Sequence, residues 1–261
     1  MEEEILIPLK LDNVSVGTPS NKAMICEGSR LGYGMSFEYK IDVKEGRIPA
    51  GYLYANIEDM CRYLMIQLGD AQIAQEYKKL VEFSHEYLLN SENKDKYFAG
   101  WEDLGNQIIG HSGGTPNYSS RMIFSKEKGI AVCVLANMNA AASIDRLCDD
   151  IFAITSGQEK QGFVSDIWKI FDSIYSWITF VGIAVLLLAV FVLKRAKLLL
   201  FISATVLILL ICQIIIMPLV FQSGWKDIAL VWAPWSVLGG LITQMIDLIA
   251  LPIITMIKRK N

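Results

Sequence analysis

The chain has 261 residues, 53% of them hydrophobic, above the roughly 45–50% usual in soluble domains. A net charge of −3, with no basic stripe interleaved with aromatics, argues against a nucleic-acid partner. Five cysteines without metal-ligand spacing argue against a disulfide framework and a metal site, and no cofactor is expected.

The apolar excess is uneven. Residues 1–165 hold most of the charge and read as one globular domain, and from about Trp168 long apolar runs dominate. Met1-Glu2-Glu3-Glu4 has no basic n-region and no apolar h-region follows, so no signal peptide is expected. Residues 5–11 read as a helix end meeting a turn at Pro8. Residues 14–21 read as a loop, and 24–43 as a polar, glycine-punctuated stretch with Tyr33, Phe37 and Tyr39. The chain opens as if in mid-domain.

Two helices come next. Asn56 is an N-cap, Glu58 and Asp59 fill the first turn, Met60, Tyr63, Leu64 and Leu68 form a stripe, and Gly69 ends the helix. The second runs from about Gln72 to Leu89 and carries His85, read as an exposed or half-buried helix histidine. Residues 90–96 are a charged loop. Tyr97 to Trp101 reads as a strand, followed by a turn at 103–106.

The stretch His111-Ser112-Gly113-Gly114-Thr115-Pro116-Asn117-Tyr118-Ser119-Ser120 follows a short apolar run and precedes two β-like runs, 121–125 and 130–136. A basic residue, a hydroxyl and two glycines at a strand edge suit anion or carbonyl recognition. Glycine lets a ligand approach the backbone, and free N–H groups there can hold an oxyanion. A tight turn carrying a surface histidine is the other reading of the same residues. Residues 143–155 then read as a helix capped by Ser143, with Asp145, Asp149 and Asp150 on its solvated face.

The last third reads as membrane. Residues 177–193, 198–221 and 231–257 are apolar runs near the roughly 20 residues that cross a bilayer. Lys194, Arg195 and Lys197 separate the first two, and Lys258, Arg259 and Lys260 follow the third. Three spans put both basic clusters on one side. By the positive-inside tendency the N-terminal domain is then extracytoplasmic and the C-terminus cytoplasmic, in a multi-pass protein of the cell membrane. Trp168, Tyr175, Trp177, Trp225, Trp232 and Trp235 are expected at the outer interface. Asp247 is a carboxylate inside the third run, with Gln213 and Gln244 as candidate partners.

Five pieces, in order over about residues 1–157, resemble the C-terminal part of the serine beta-lactamase and penicillin-binding-protein superfamily, on the side of the class C beta-lactamases. Residues 1–17 resemble its "I-x-x-P-L-G-M-x-x-T" segment. Ile48-Pro49-Ala50-Gly51-Tyr52-Leu53-Tyr54 with Glu58-Asp59-Met60 resembles its "P-A-G-G-L-x-S-T-x-x-D-L" helix start. Tyr97 to Trp101 resembles "Y-G-L-G-W". His111-Ser112-Gly113-Gly114 with Tyr118-Ser119-Ser120 resembles "H-x-G-G-x-x-G-F-S-S". Gly129 to Asn137 resembles "G-x-x-V-V-V-L-x-N".

That resemblance implies an α+β fold. A partial beta-lactamase/transpeptidase-like domain over residues 1–160, an antiparallel sheet with flanking helices, is followed by a linker over 161–176. An all-α region of three transmembrane helices over 177–257 and a basic tail over 258–261 complete the chain. It also implies an active site of three motifs: Ser-x-x-Lys, Tyr-x-Asn or Ser-x-Asn, and Lys-Thr-Gly or His-x-Gly. His111-Ser112-Gly113 would be the third. His111 would stand near a substrate carboxylate or proton relay, Ser112 would add a hydroxyl, and the backbone at Gly113 and Gly114 would serve the oxyanion hole. Asn117 departs from the family's glycine.

The first two motifs would precede this chain. Ser91-Glu92-Asn93-Lys94 matches Ser-x-x-Lys by coincidence, since it falls in a polar loop and the family's serine opens a buried helix. Tyr54-Ala55-Asn56 matches Tyr-x-Asn but serves as the helix start. Two functions follow. One is a membrane-anchored serine hydrolase of this family acting on cell-wall peptide, amide or ester, here truncated and without its nucleophile. The other is a non-catalytic membrane-tethered peptide-binding or accessory protein, one form of which pairs with a separately encoded N-terminal half. A small transporter or sensor built on Asp247 is a third.

Overall fold

The computed structural model describes residues 1–17, 25–42, 46, 48, 51–90, 95–191 and 195–260. Its contacts divide into two units. One is Met1–Ser29 with Tyr39–Ser165, and the other is Arg30–Glu38 with Asp166–Asn261. The architecture is α+β.

The first unit opens with a π-helical turn (Glu2–Leu6) that runs into the helical turn α1 (Ile7–Leu9), which contains Pro8 and ends at Lys10 in the left-handed region. Strand β1 (Ser15–Val16) comes next; β2 (Ser29–Gly32) and β3 (Met35–Glu38), which pair as a hairpin, belong from Arg30 onward to the second unit. Strand β4 (Leu53–Tyr54) returns antiparallel to β1. Helix α2 (Ile57–Leu68) starts at Asn56, whose Oδ1 accepts the Asp59 N–H at 2.9 Å, and ends at Gly69 with φ 92°. That cap satisfies one of the donors a helix start leaves open, and a glycine adopts the left-handed end without a Cβ penalty. Helix α3 (Gln75–Leu89) starts three residues later than the sequence pattern implies, because Ala71 and Ile73 pack under it against Leu6, Leu9, Leu11 and Ile66.

The main sheet is antiparallel in chain order: β5 (Tyr97–Phe98), β6 (Trp101–Asp103), β7 (Ile109–Thr115), β8 (Tyr118–Ser125) and β9 (Ile130–Ala136). Tyr97 to Trp101 is therefore a tight hairpin rather than one strand. Ala99 and Gly100 both have positive φ, 51° and 84°, as a two-residue turn between twisted strands requires. One face of the sheet buries Trp101, Ile109 and Phe124 against Leu64 of α2 and Leu88 of α3. The other buries Ile123 against Cys148 and Phe152 of α4 (Ala141–Thr155). Helix α4 begins before Ser143, and the Ala140 N–H ahead of it is taken by Ser119 Oγ at 2.9 Å.

His85 is buried rather than exposed, at 3%. Its Nε2 lies 2.9 Å from Gln67 Oε1 and its ring packs on Phe124. Burial, with Lys126 nearby, lowers its pKa to about 4.

The second unit holds α5 (Ile167–Phe191), α6 (Ala196–Phe221), the turn α7 (Trp225–Asp227) and α8 (Trp235–Lys260). Three of these helices are long and apolar enough to cross a membrane. Helix α5 starts ten residues before the apolar run at 177, since Trp168, Phe171 and Tyr175 pack with Leu210, Met217 and Ile228. Tyr175 is thus inside the bundle, its hydroxyl donating to Gln213 Oε1 at 3.0 Å. Gln213 and Gln244 pair with each other, Nε2 to Oε1 at 3.0 and 3.2 Å, and not with Asp247. Asp247 is buried and its Oδ1 has no hydrogen-bond partner among the described residues. It faces Gly182, where a Cβ would sit 2.7 Å from Asp247 Oδ2.

Candidate functional site

Strand β7 has two different edges. On one side every residue from Ile109 to Thr115 pairs with β8. On the other, β6 pairs only with Ile109 and Gly110. Beyond that point the backbone of His111 to Thr115 has no strand partner on this side among the described residues. Alternate N–H and C=O groups of such an edge point outward, ready to pair with an extended ligand.

His111 stands where the pairing stops. Its Nε2 lies 3.4 Å from the hydroxyl of Tyr97, with ring centroids 5.8 Å apart. Gly113 and Gly114 differ in kind. A Cβ on Gly113 would meet Ser120 Oγ at 2.4 Å, whereas one on Gly114 would meet nothing within 4 Å. A side chain at the first glycine would have to displace the Ser120 hydroxyl, and at the second it would meet open space.

The pleat separates residues that the resemblance brings together. His111 shares its face with its cross-strand partner Met122, and Ser112 points to the α4 face. There the Ser112 hydroxyl donates to Asp145 Oδ1 at 2.8 Å and accepts from Arg121 Nη1 at 2.9 Å. Arg121, itself buried, also holds Asp149 Oδ1 at 3.1 Å through Nε. Asp145 and Asp149 therefore face a buried guanidinium, which corrects their placement on a solvated face. Asp150 accepts the Gln161 N–H at 2.8 Å.

Asn117 shapes the turn. Its Oδ1 accepts from Thr115 Oγ1 at 3.0 Å and its Nδ2 donates to Tyr39 O at 2.9 Å. The asparagine is buried, and it ties the β7–β8 turn to the backbone after β3. Pro116 at the first corner presets φ for such a turn.

Ser91 and Lys94 lie outside the described residues. The same Ser-x-x-Lys spacing occurs at Ser125-Lys126-Glu127-Lys128 and at Ser223-Gly224-Trp225-Lys226. Ser125 is buried at the end of β8, where its Oγ accepts the Lys128 N–H at 3.4 Å. Neither string opens a helix with its serine. Two clefts of about 460 and 470 Å³ open along α3, and neither is lined by His111. No group of three metal-ligating side chains occurs among the described residues.

Sequence reasoning missed Arg121 and Tyr97 as neighbours of the motif. The signal for Arg121 was present. A two-residue turn at Pro116-Asn117 pairs Thr115 with Tyr118, and counting back pairs Ser112 with Arg121.

The beta-lactamase family profile matches residues 1–150, and the chain belongs to that family. Relatives include the protein flp of Staphylococcus aureus strains N315 and MRSA252. The first is 23% identical over 231 residues, spanning 80% of this chain and 46% of the relative. The second is 23% identical over 225 residues, spanning 78% and 44%. The chain thus spans about half the length of the curated relatives it matches. Among solved structures, the octameric penicillin-binding protein homologue from Pyrococcus abyssi aligns with TM-score 0.46 and 20% identity, covering 61% of this chain and 37% of the other. A class C beta-lactamase from Rhodobacter sphaeroides aligns with TM-score 0.40 and 16% identity, covering 53% and 48%.

Proposed function

We propose that residues 1–150 supply the His-x-Gly side of a serine-hydrolase site, anchored to the cell membrane by α5, α6 and α8, and acting on cell-wall peptide, amide or ester substrates. The observation that carries this reading is the unpaired β7 edge that begins at His111. An extended peptide or acyl group laid along it would find outward backbone N–H groups at alternate residues, Gly114 among them, with His111 and Tyr97 at one end. Gly114 leaves room for that approach. Ser112 serves the strand from behind.

The acylated serine, on this reading, comes from polypeptide outside these residues, in the same protein or as a separately encoded N-terminal half. Ser125 is buried at a strand end, and Ser223 does not open a buried helix. The basic residues Arg195, Lys197, Lys258 and Arg259 favour the cytoplasm for those helix ends, with the beta-lactamase-related unit extracytoplasmic.

Covalent labelling tests the proposal. The chain is expressed in membranes, treated with a fluorescent penicillin and a fluorescent phosphonate, and mapped by mass spectrometry. No adduct is expected on the chain alone, and an adduct on the partner serine is expected once an N-terminal half is co-expressed. An adduct on Ser91 that disappears in Ser91→Ala would make this chain a complete enzyme and overturn the split assignment.

A non-catalytic reading rests on Ser112. With its hydroxyl held between Arg121 and Asp145, the edge keeps recognition groups and no free serine of its own motif. The protein would then hold a peptide carboxylate. Binding of a cell-wall peptide that His111→Gln abolishes, without any adduct under co-expression, would favour it.

A further inference from the structure

Residues Arg30–Glu38, the β2–β3 hairpin after Ser29, belong by their contacts to the unit of apolar helices. Two side chains lock them there. Arg30 is 1% exposed. It donates to the carbonyls of Ala229 at 2.7 Å, Leu230 at 3.0 Å and Ala233, and its guanidinium lies 4.3 Å from the Trp235 ring centroid. In return, the carboxylate of Asp172 on α5 accepts the N–H groups of Tyr33 and Gly34, both at 2.7 Å, and the Ser236 hydroxyl at 2.6 Å. The hairpin turn therefore has its two N–H groups satisfied without water.

The hairpin lies alongside the helices and not beyond their ends. Tyr33 stacks obliquely on Phe180, with centroids 5.9 Å apart. Phe180 is eight residues past Asp172, about 12 Å along the helix at 1.5 Å per residue. The Tyr33 hydroxyl lies against Gly239, where a Cβ would overlap it at 1.8 Å. The outward strand β3 carries Met35 and Phe37, 58% and 38% exposed, and Phe37 flanks Gly32 beside Trp235. On α5, Phe180, which Tyr33 touches, is itself exposed, as are Trp177 and Val181.

We propose that this hairpin is embedded in the bilayer, with Met35 and Phe37 against lipid at the boundary between headgroups and acyl chains. The inference rests on the reading of α5, α6 and α8 as membrane spans. If α5 crosses a bilayer, whatever packs at the depth of Phe180 meets lipid. Open strand edges are costly in hydrocarbon, so the strands lie at the interfacial level, and the turn, which reaches deepest, is capped by Asp172. Aromatic side chains such as Tyr33 and Trp235 suit that layer.

Photo-crosslinking in phosphatidylcholine nanodiscs tests this on the full chain. p-Benzoylphenylalanine replaces Met35, Phe37, Ile208 on the exposed face of α6, or Glu127 in the β8–β9 turn, one at a time. Adducts with lipid are counted by mass spectrometry. Yields at positions 35 and 37 are expected to approach that at 208 and to exceed that at 127 several-fold. Adducts at 208 with none at 35 and 37 would overturn the hairpin's placement and leave the spans standing. A failure at 208 as well would overturn both.

Discussion

Ser112 and Arg121 are cross-strand partners, and the guanidinium donates to the serine hydroxyl at 2.9 Å on the side of the sheet away from His111. This pairing makes Ser112 a support for the strand. Ser112→Ala is expected to destabilise the first unit by about 1 kcal/mol, the usual scale of one buried hydrogen bond, while leaving ligand binding at the β7 edge unchanged. Thermal unfolding and peptide titration of the same variant check both halves. A loss of binding without loss of stability would return Ser112 to the reacting side.

Removing the guanidinium should cost more. Arg121→Met leaves Ser112, Asp145 and Asp149 without their shared donor. The two aspartates are only about one-third exposed, so part of their charge regains water and part does not. A destabilisation of roughly 2 kcal/mol is expected, and Arg121→Lys should recover little of it, because a single ammonium cannot span Ser112 and Asp149 as the planar fork does. Chemical denaturation of the series measures this.

The two glycines of the motif should respond in opposite ways. Gly113→Ala meets Ser120 Oγ and is expected to lose about 1–3 kcal/mol by overpacking, with Ser120→Gly restoring most of it in the double variant. Gly114→Ala has space and should leave stability unchanged while weakening ligand binding at the edge. Equal behaviour of the two variants would contradict the geometry described for β7.

His85 makes the first unit sensitive to acid. Its pKa is about 4 in the folded chain against an ordinary 6.5, so the unfolded chain binds the proton more tightly. Stability is whole above pH 6.5 and falls as pH drops from there toward 4. His85→Leu should flatten that limb. Hydrogen–deuterium exchange of α3 peptides across this range is the direct measurement, and an unchanged slope in the variant would remove His85 as its cause.

In the helical unit, Gly182→Val is expected to force α5 away from α8, since a Cβ there would lie 2.5 Å from Thr243 Cγ2 and 2.7 Å from Asp247 Oδ2. Asp247→Ala should relieve part of the damage by clearing the carboxylate. Thermal stability in detergent micelles of the single and double variants would test the coupling, which additive losses would disprove.

Much of this fold was legible in the sequence for physical reasons that can be named. Asn56 and Gly69 bracket α2 because capping chemistry is local. The three apolar runs became helices because a stretch of that length and apolarity, with at most the single carboxylate of Asp247 inside it, has few alternatives. The misreadings concern what is not local. His85 looked like a surface residue because three charged neighbours, Glu82, Glu86 and Lys78, lie along its helix, yet Gln67 and Phe124 come from elsewhere in the chain to enclose it. Asp172 and Arg30 were passed over for the same reason: their partners lie 139 and about 200 positions away. Within the motif, the residue types were visible, but the face each side chain takes depended on a register that only the Pro116-Asn117 turn sets.

The glutamine pair in the bundle has a consequence for how α6 is held. That helix is apolar almost all the way round, so hydrophobic matching alone gives it little reason to prefer one rotation about its own axis. Gln213 supplies the reason. Bonded to Tyr175 on α5 and to Gln244 on α8, it acts as an index pin, marking with the buried Ser203, Leu210 and Met217 the side of α6 that faces inward. With isoleucine there, α6 would lose the hydrogen bonds that tie its inward side to both neighbouring helices.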